Sequence, residues 1–218
     1  MSIDQRKRQN KLAKKKAKRK AVLSSKNKKV SFSDRISRSK AIVIARNSPI
    51  NRCFVRKSIF SEGIGTAIVS REMPNGHLGV GVYLLDVWCL GVKNTYFSVL
   101  SENEFLERIK QIEINEHLET LHPSCAGKII EQCVEYSDKL GFKPHKDYKI
   151  SRQLLMDLDP NVCPNQYIFG KDGKPFYISG PNENQNQSKK LLRNFYAIVV
   201  RATLIILYPH SMNQNFYE

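Results

Sequence analysis

Three residues of this 218-residue chain have side chains and settings that catalysis uses: Asp86, His145 and Asp147. Asp86 interrupts an otherwise apolar run, LGVGVYLLDVWC, where a carboxylate is costly unless it is paired, hydrogen-bonded or bound to a metal. One reading makes it a metal ligand or catalytic acid near a strand end. The structural reading gives it a lysine partner such as Lys93, and is the stronger because one carboxylate does not make a site. His145 and Asp147 lie in GFKPHKDYKI (residues 141–150), where an imidazole among acids and lysines has the local chemistry of a general base. Surface turns share that composition. Asp157 and Asp159, two apart at the end of a short helix, add two carboxylates that suit a cation. Gathered around a divalent cation, these groups would make a metal-dependent nuclease or another phosphate-processing enzyme, provided that their side chains converge.

Two further motifs are weaker. His122, Cys125 and Cys133 carry zinc-type donors, but their spacing matches no closed zinc motif, and cysteine on the inner side of a helix is ordinary. No metal ligand is assigned on this basis. The GKDGK segment (residues 170–174) places Lys171 and Lys174 around a glycine-rich turn. It lacks the Walker spacing and the helix that should follow, so the turn itself explains Lys171, Asp172 and Lys174.

The strongest chemical signal is charge, and it is unevenly placed. The chain carries 36 Lys and Arg against 20 Asp and Glu, a net of +16. The first 40 residues hold 16 of those cations and 2 of the acids, a net of +14; the other 178 residues are nearly neutral at +2. The block comprises Arg6, Lys7, Arg8, Lys11, Lys14, Lys15, Lys16, Lys18, Arg19, Lys20, Lys26, Lys28 and Lys29. A free helix there would repel itself, so the expectation is disorder in isolation and ordering against phosphates. With no aromatic before Phe32, this stretch cannot stack on bases, which leaves backbone contact with a polyanion. The expected partner is nucleic acid, RNA or a ribonucleoprotein foremost. A solubilising tail or a targeting patch is the plainer alternative. An adaptor that binds another protein through a sheet edge leaves no sequence mark.

The remaining composition narrows the class. A hydrophobic fraction of 41% supports a packed core. The longest apolar run, residues 197–208, is interrupted by Arg201 and falls short of the ~20 residues a membrane span needs. No apolar segment follows the charged start, and the Lys-rich tail lacks the amphipathic pattern of an organellar presequence. Cys53, Cys89, Cys125, Cys133 and Cys163 are odd in number and irregular in spacing, without a CxxC pair, and read as reduced thiols rather than a disulfide framework. Together these features predict a cytoplasmic protein with no membrane partner.

The elements that must position these groups form an α+β fold: antiparallel β-hairpins packed with two or three helices, preceded by the disordered basic arm. Residues 1–40 read as arm and linker, 41–208 as one domain, and 209–218 as a tail. Order is expected to begin at Ala41 with AIVIA as a β-type run. The clearest hairpin has arms at residues 66–71 and 78–89 around Met73-Pro74-Asn75-Gly76. Its second arm is apolar on both faces apart from Asp86 and predicts a central strand; Gly79 and Gly81 on one face suggest a close backbone approach, a bulge or room for a packed helix. Residues 101–119 read as a helix with Phe105, Ile109 and Ile112 on its inner stripe. A second helix follows Ser124 as cap and ends at Gly141. Ser151 caps a short helix through Leu158, residues 167–181 read as a hairpin around GKDG, and a polar helix from about residue 184 to 195 precedes a final strand to Tyr208.

The segments GIGTAIVSREMPNGHLGVGVYLLDVWCLGVKN and FGKDGKPFYISGP resemble those of a group of bacterial proteins that also carry a CLGVK segment, a GF-PH-DY turn and a basic N-terminal arm. The resemblance spans roughly residues 49–182 and implies one shared domain. It implies no catalytic residue and no cofactor, since the group has no assigned activity, and the segment after Phe195 departs from it.

Overall fold

The computed structural model describes residues 37–177. By contacts the chain divides into two units, Met1–Ser37 and Arg38–Glu218, and the elements below belong to the second. Five antiparallel strands form one sheet in the order β4-β3-β2-β1-β5. They are β1 Ile50–Arg56, β2 Ile64–Met73, β3 His77–Asp86, β4 Gly91–Ser101 and β5 Leu118–Thr120. The helices are α1 Arg38–Arg46, α2 Ile59–Glu62, α3 Glu102–Glu113, α4 Pro123–Lys139 and α5 Tyr148–Ser151. The α+β class predicted from the sequence is therefore the observed one.

The β2–β3 hairpin turns where the sequence places it. Met73 pairs with His77 across Pro74-Asn75-Gly76, and Gly76 takes φ 71°, a left-handed conformation that glycine adopts at least cost. β3 lies between β2 and β4, and eight of its ten residues are buried, as its two-sided apolar pattern requires. On one face Ile68, Leu78, Val80 and Val82 meet Phe105 and Ile109 of α3. A capping box starts α3: the Ser101 hydroxyl accepts from the Glu104 amide while the Glu104 carboxylate accepts from the Ser101 amide. On the opposite face the two glycines make room. A Cβ on Gly79 would stand 2.6 Å from that of Ala45 in α1, and one on Gly81 2.7 Å from Leu154. The helix-packing alternative for Gly79 and Gly81 thus holds.

Helix α4 crosses the same face. Pro123 occupies its first turn and His122, rather than Ser124, caps it: the Ser124 amide donates to His122 Nδ1 at 3.3 Å. At its end the Gly141 amide bonds Asp138 O and the Phe142 amide bonds Ser137 O, a Schellman closure with Gly141 at φ 74°.

Several expectations are corrected. AIVIA is part of α1, not a strand. Ala41, Ile42 and Ala45 fall on one buried face, and packing over Gly79 overrides the β-type composition. Helix α3 stops at Glu113 because Glu116 turns inward to accept from the Thr66 amide and hydroxyl, after which residues 118–120 pair with β1. Ser151 ends α5 instead of capping a helix; its hydroxyl accepts from Thr95 Oγ1 at 2.9 Å. Residues 167–177 do not form a hairpin with each other beyond the bridge between Lys171 and Lys174. Their flanks bond the β3–β4 connection instead, Gly170 N to Val87 O and Phe176 N to Trp88 O. Finally, Cys125 and Cys163 form a disulfide, which leaves Cys53, Cys89 and Cys133 as buried free thiols. The spacing of 38 residues gave no hint that the turn at 160–162 returns to the start of α4.

The expected helix near 184–195, the strand to Tyr208 and the basic arm lie outside the described residues. Among the described residues, no helix is long and apolar enough to cross a membrane.

Candidate functional site

Asp86 is buried, and its carboxylate organises a turn. Oδ1 accepts from the Cys89 amide at 2.9 Å and the Trp88 amide at 3.2 Å, which shapes the buried Val87–Leu90 connection between β3 and β4. Burial pushes its carboxyl above the ordinary value; hydrogen bonds from the Cys89 and Leu90 backbone and the charge of Lys93 oppose that shift without cancelling it. The amides, ahead of Lys93, are therefore the main partners. Around them, Gly63 at φ 81° lies under the Trp88 ring, and Trp88 Nε1 donates to Phe60 O at 3.1 Å.

His145 and Asp147 reach the same end of the sheet through the backbone, since the His145 amide donates to Val92 O and Val92 pairs with Leu85. Their side chains do not join Asp86. The Asp147 amide donates to His145 Nδ1 at 3.3 Å, and the Asp147 carboxylate faces Arg38 at 3.8 Å. Asp157 pairs with Arg71, and Asp159 caps the 160–162 turn by accepting from the Asn161 amide at 2.9 Å. Among the described residues, no three His, Cys, Asp or Glu side chains converge as a metal would need. His122, Cys125 and Cys133 likewise do not combine: His122 caps α4, Cys125 is in the disulfide, and the Cys133 thiol donates to Asp86 O.

In the GKDG turn, Asp172 at φ 53° and Gly173 at φ 76° take the two left-handed central positions of a tight reverse turn. The Lys171 ammonium lies 4.6 Å from the Phe176 ring centre and 5.4 Å from that of Trp88, so it rests against aromatic faces.

What the fold does assemble is a basic cleft of about 910 Å³ between α4 and residues 143–160. Its charged lining is Lys143, Lys146, Lys149 and Arg152 with His145, against one carboxylate, Glu131. Lys143 pairs with Asp138 and Arg152 with Glu131. Lys146 and Lys149 are exposed and have no ion-pair partner among the described residues. Pro144, Val134, Leu155 and Met156 supply apolar wall.

The far wall is fixed on three sides. The disulfide ties Cys163 to Cys125, Lys128 Nζ donates to Cys163 O at 3.1 Å and Asn165 O at 2.8 Å, and Arg71 holds Leu154 O. Sequence reasoning missed this cleft, although a signal was present: cations recur every third residue from Lys143 to Arg152. It also missed Arg71 and Lys128, buried cations within apolar elements whose partners come from distant carbonyls.

Comparison with known proteins found no matching family model, no matching curated protein and no matching solved structure.

Proposed function

We propose that the protein binds nucleic acid, RNA or a ribonucleoprotein foremost, through its basic arm, and that it does so in the cytoplasm. The observation that carries this reading is the concentration of +14 in the first 40 residues beside a nearly neutral remainder. A block of that density attracts a phosphate backbone by releasing its condensed counterions, and needs no base contacts to do so. The basic cleft supports the reading with a second cationic surface. Among the described residues no three His, Cys, Asp or Glu side chains come together as the metal-dependent enzyme would need, whereas the charge block and the cleft both favour binding.

Fluorescence anisotropy with labelled 20-nucleotide RNA and duplex DNA tests the proposal. The full chain is compared with a full-length variant in which Lys14, Lys15, Lys16, Lys18, Arg19 and Lys20 are all changed to Gln. Loss of affinity by about tenfold or more is expected, given the counterions released per phosphate contact. Equal affinity overturns the proposal.

A further inference from the structure

We propose that the cleft between α4 and residues 143–160 is a second nucleic-acid site, one that seats two or three nucleotides of a single strand by their phosphates. The inference rests on the reading of the chain as a nucleic-acid-binding protein, and adds a strand-specific site on the folded domain to the arm's general attraction.

The size fits first. A space of about 910 Å³ is at the upper end of what small-ligand pockets provide, a size that suits a short single-stranded segment. The charge fits next. Lys146 and Lys149 face the cleft without ion-pair partners among the described residues, whereas Lys143 and Arg152 are each tied to an acid. Two uncommitted ammonium groups three residues apart suit successive phosphates.

His145 contributes a directed donor. Its Nδ1 accepts the Asp147 amide, so in the neutral imidazole Nε2 carries the proton and can donate to a phosphate oxygen. The apolar wall of Pro144, Leu155 and Met156 offers surface against which a base can lie, and Met156 is 70% exposed. The disulfide and the Arg71 and Lys128 bonds hold the wall in place before the ligand arrives, which lowers the ordering cost of binding.

The test uses the full chain and a fluorescent 5′-phosphorylated uridine trinucleotide, too short to gain much from the arm. Lys146→Gln with Lys149→Gln is expected to weaken trinucleotide binding by about tenfold or more, from two lost charge-assisted contacts, with an unchanged melting temperature because both residues are exposed. The six-residue arm variant is expected to keep trinucleotide affinity within about threefold while losing 20-nucleotide RNA. Trinucleotide binding unaffected by the cleft substitutions, or absent from the full chain at millimolar concentration, overturns the site while leaving the arm proposal standing. Displacement by uridine monophosphate at equal concentration overturns the strand assignment in favour of a free nucleotide. Loss of 20-nucleotide binding in neither variant overturns the arm proposal instead.

Discussion

Arg71, on β2 and only 1% exposed, pairs with Asp157 across the face of the sheet and donates to Leu154 O at 2.9 and 2.7 Å and to Ser48 O at 2.7 Å. One guanidinium thus joins the α1–β1 connection, the sheet and the wall of the cleft. Removing it leaves two carbonyls and a carboxylate without their donor. Arg71→Met orphans two carbonyls and is expected to destabilise the fold by about 3–5 kcal/mol in urea denaturation. Asp157→Ala leaves the buried guanidinium its carbonyl acceptors but not its counter-charge, and with Asp157 60% exposed is expected to cost less, about 1–3 kcal/mol. Equal losses in the two variants would refute this division.

Asp86 makes a prediction in pH. Its folded pKa is raised above the unfolded value, so its native form binds the proton more tightly and its contribution is most favourable below the unfolded value near 3.8. That contribution declines as pH rises through the folded pKa. Asp86→Asn keeps an acceptor for Cys89 and Trp88 without the charge, and is expected to fold at pH 7 with stability at or above that of the parent. On acidification toward pH 4 the parent gains relative to the Asn variant. Asp86→Ala orphans two buried amides and is expected to cost about 1–3 kcal/mol at either pH. Denaturant titrations at pH 4 and 7 separate these outcomes; an Asn variant as damaged as the Ala variant at pH 7 would refute the turn-acceptor role.

Much of the central sheet was legible because it depends on local pattern. Pro-Asn-Gly between alternating runs set the β2–β3 turn, and the double-faced apolar sequence of β3 placed it inside. The stripe of Phe105 and Ile109 gave α3, and Gly141 gave the end of α4. What failed depended on partners far along the chain. AIVIA became helical because of Gly79, and the 167–177 segment took its hydrogen bonds from Val87 and Trp88 instead of from itself. Asp86 stands out in the sequence as a carboxylate in an apolar run, but its partners are amides two and three residues onward, which residue types alone do not reveal. The cleft was hidden for a related reason: Lys146 and Lys149 form a site only once α4 supplies the opposite wall.

Cysteine chemistry gives a count. Burial pushes the Cys53 and Cys89 thiols up to about 12 and raises Cys133 as well, so none forms the reactive thiolate near neutral pH. A thiol reagent is expected to label none of the native protein's cysteines rapidly, three after denaturation, and five after denaturation and reduction. Closing 38 residues of chain, the Cys125–Cys163 bond is expected to contribute about 3–4 kcal/mol, lost on reduction. Five reactive thiols without reduction would refute the pairing.

The central claim is that the arm holds the protein on a phosphate backbone, and the slope of log affinity against log salt tests it most directly. With about six phosphates engaged on single-stranded RNA, a slope near −4 is predicted for the full chain, falling toward −1 when Lys14, Lys15, Lys16, Lys18, Arg19 and Lys20 are changed to Gln. A slope near zero in the full chain, or the same slope in both proteins, would contradict the account.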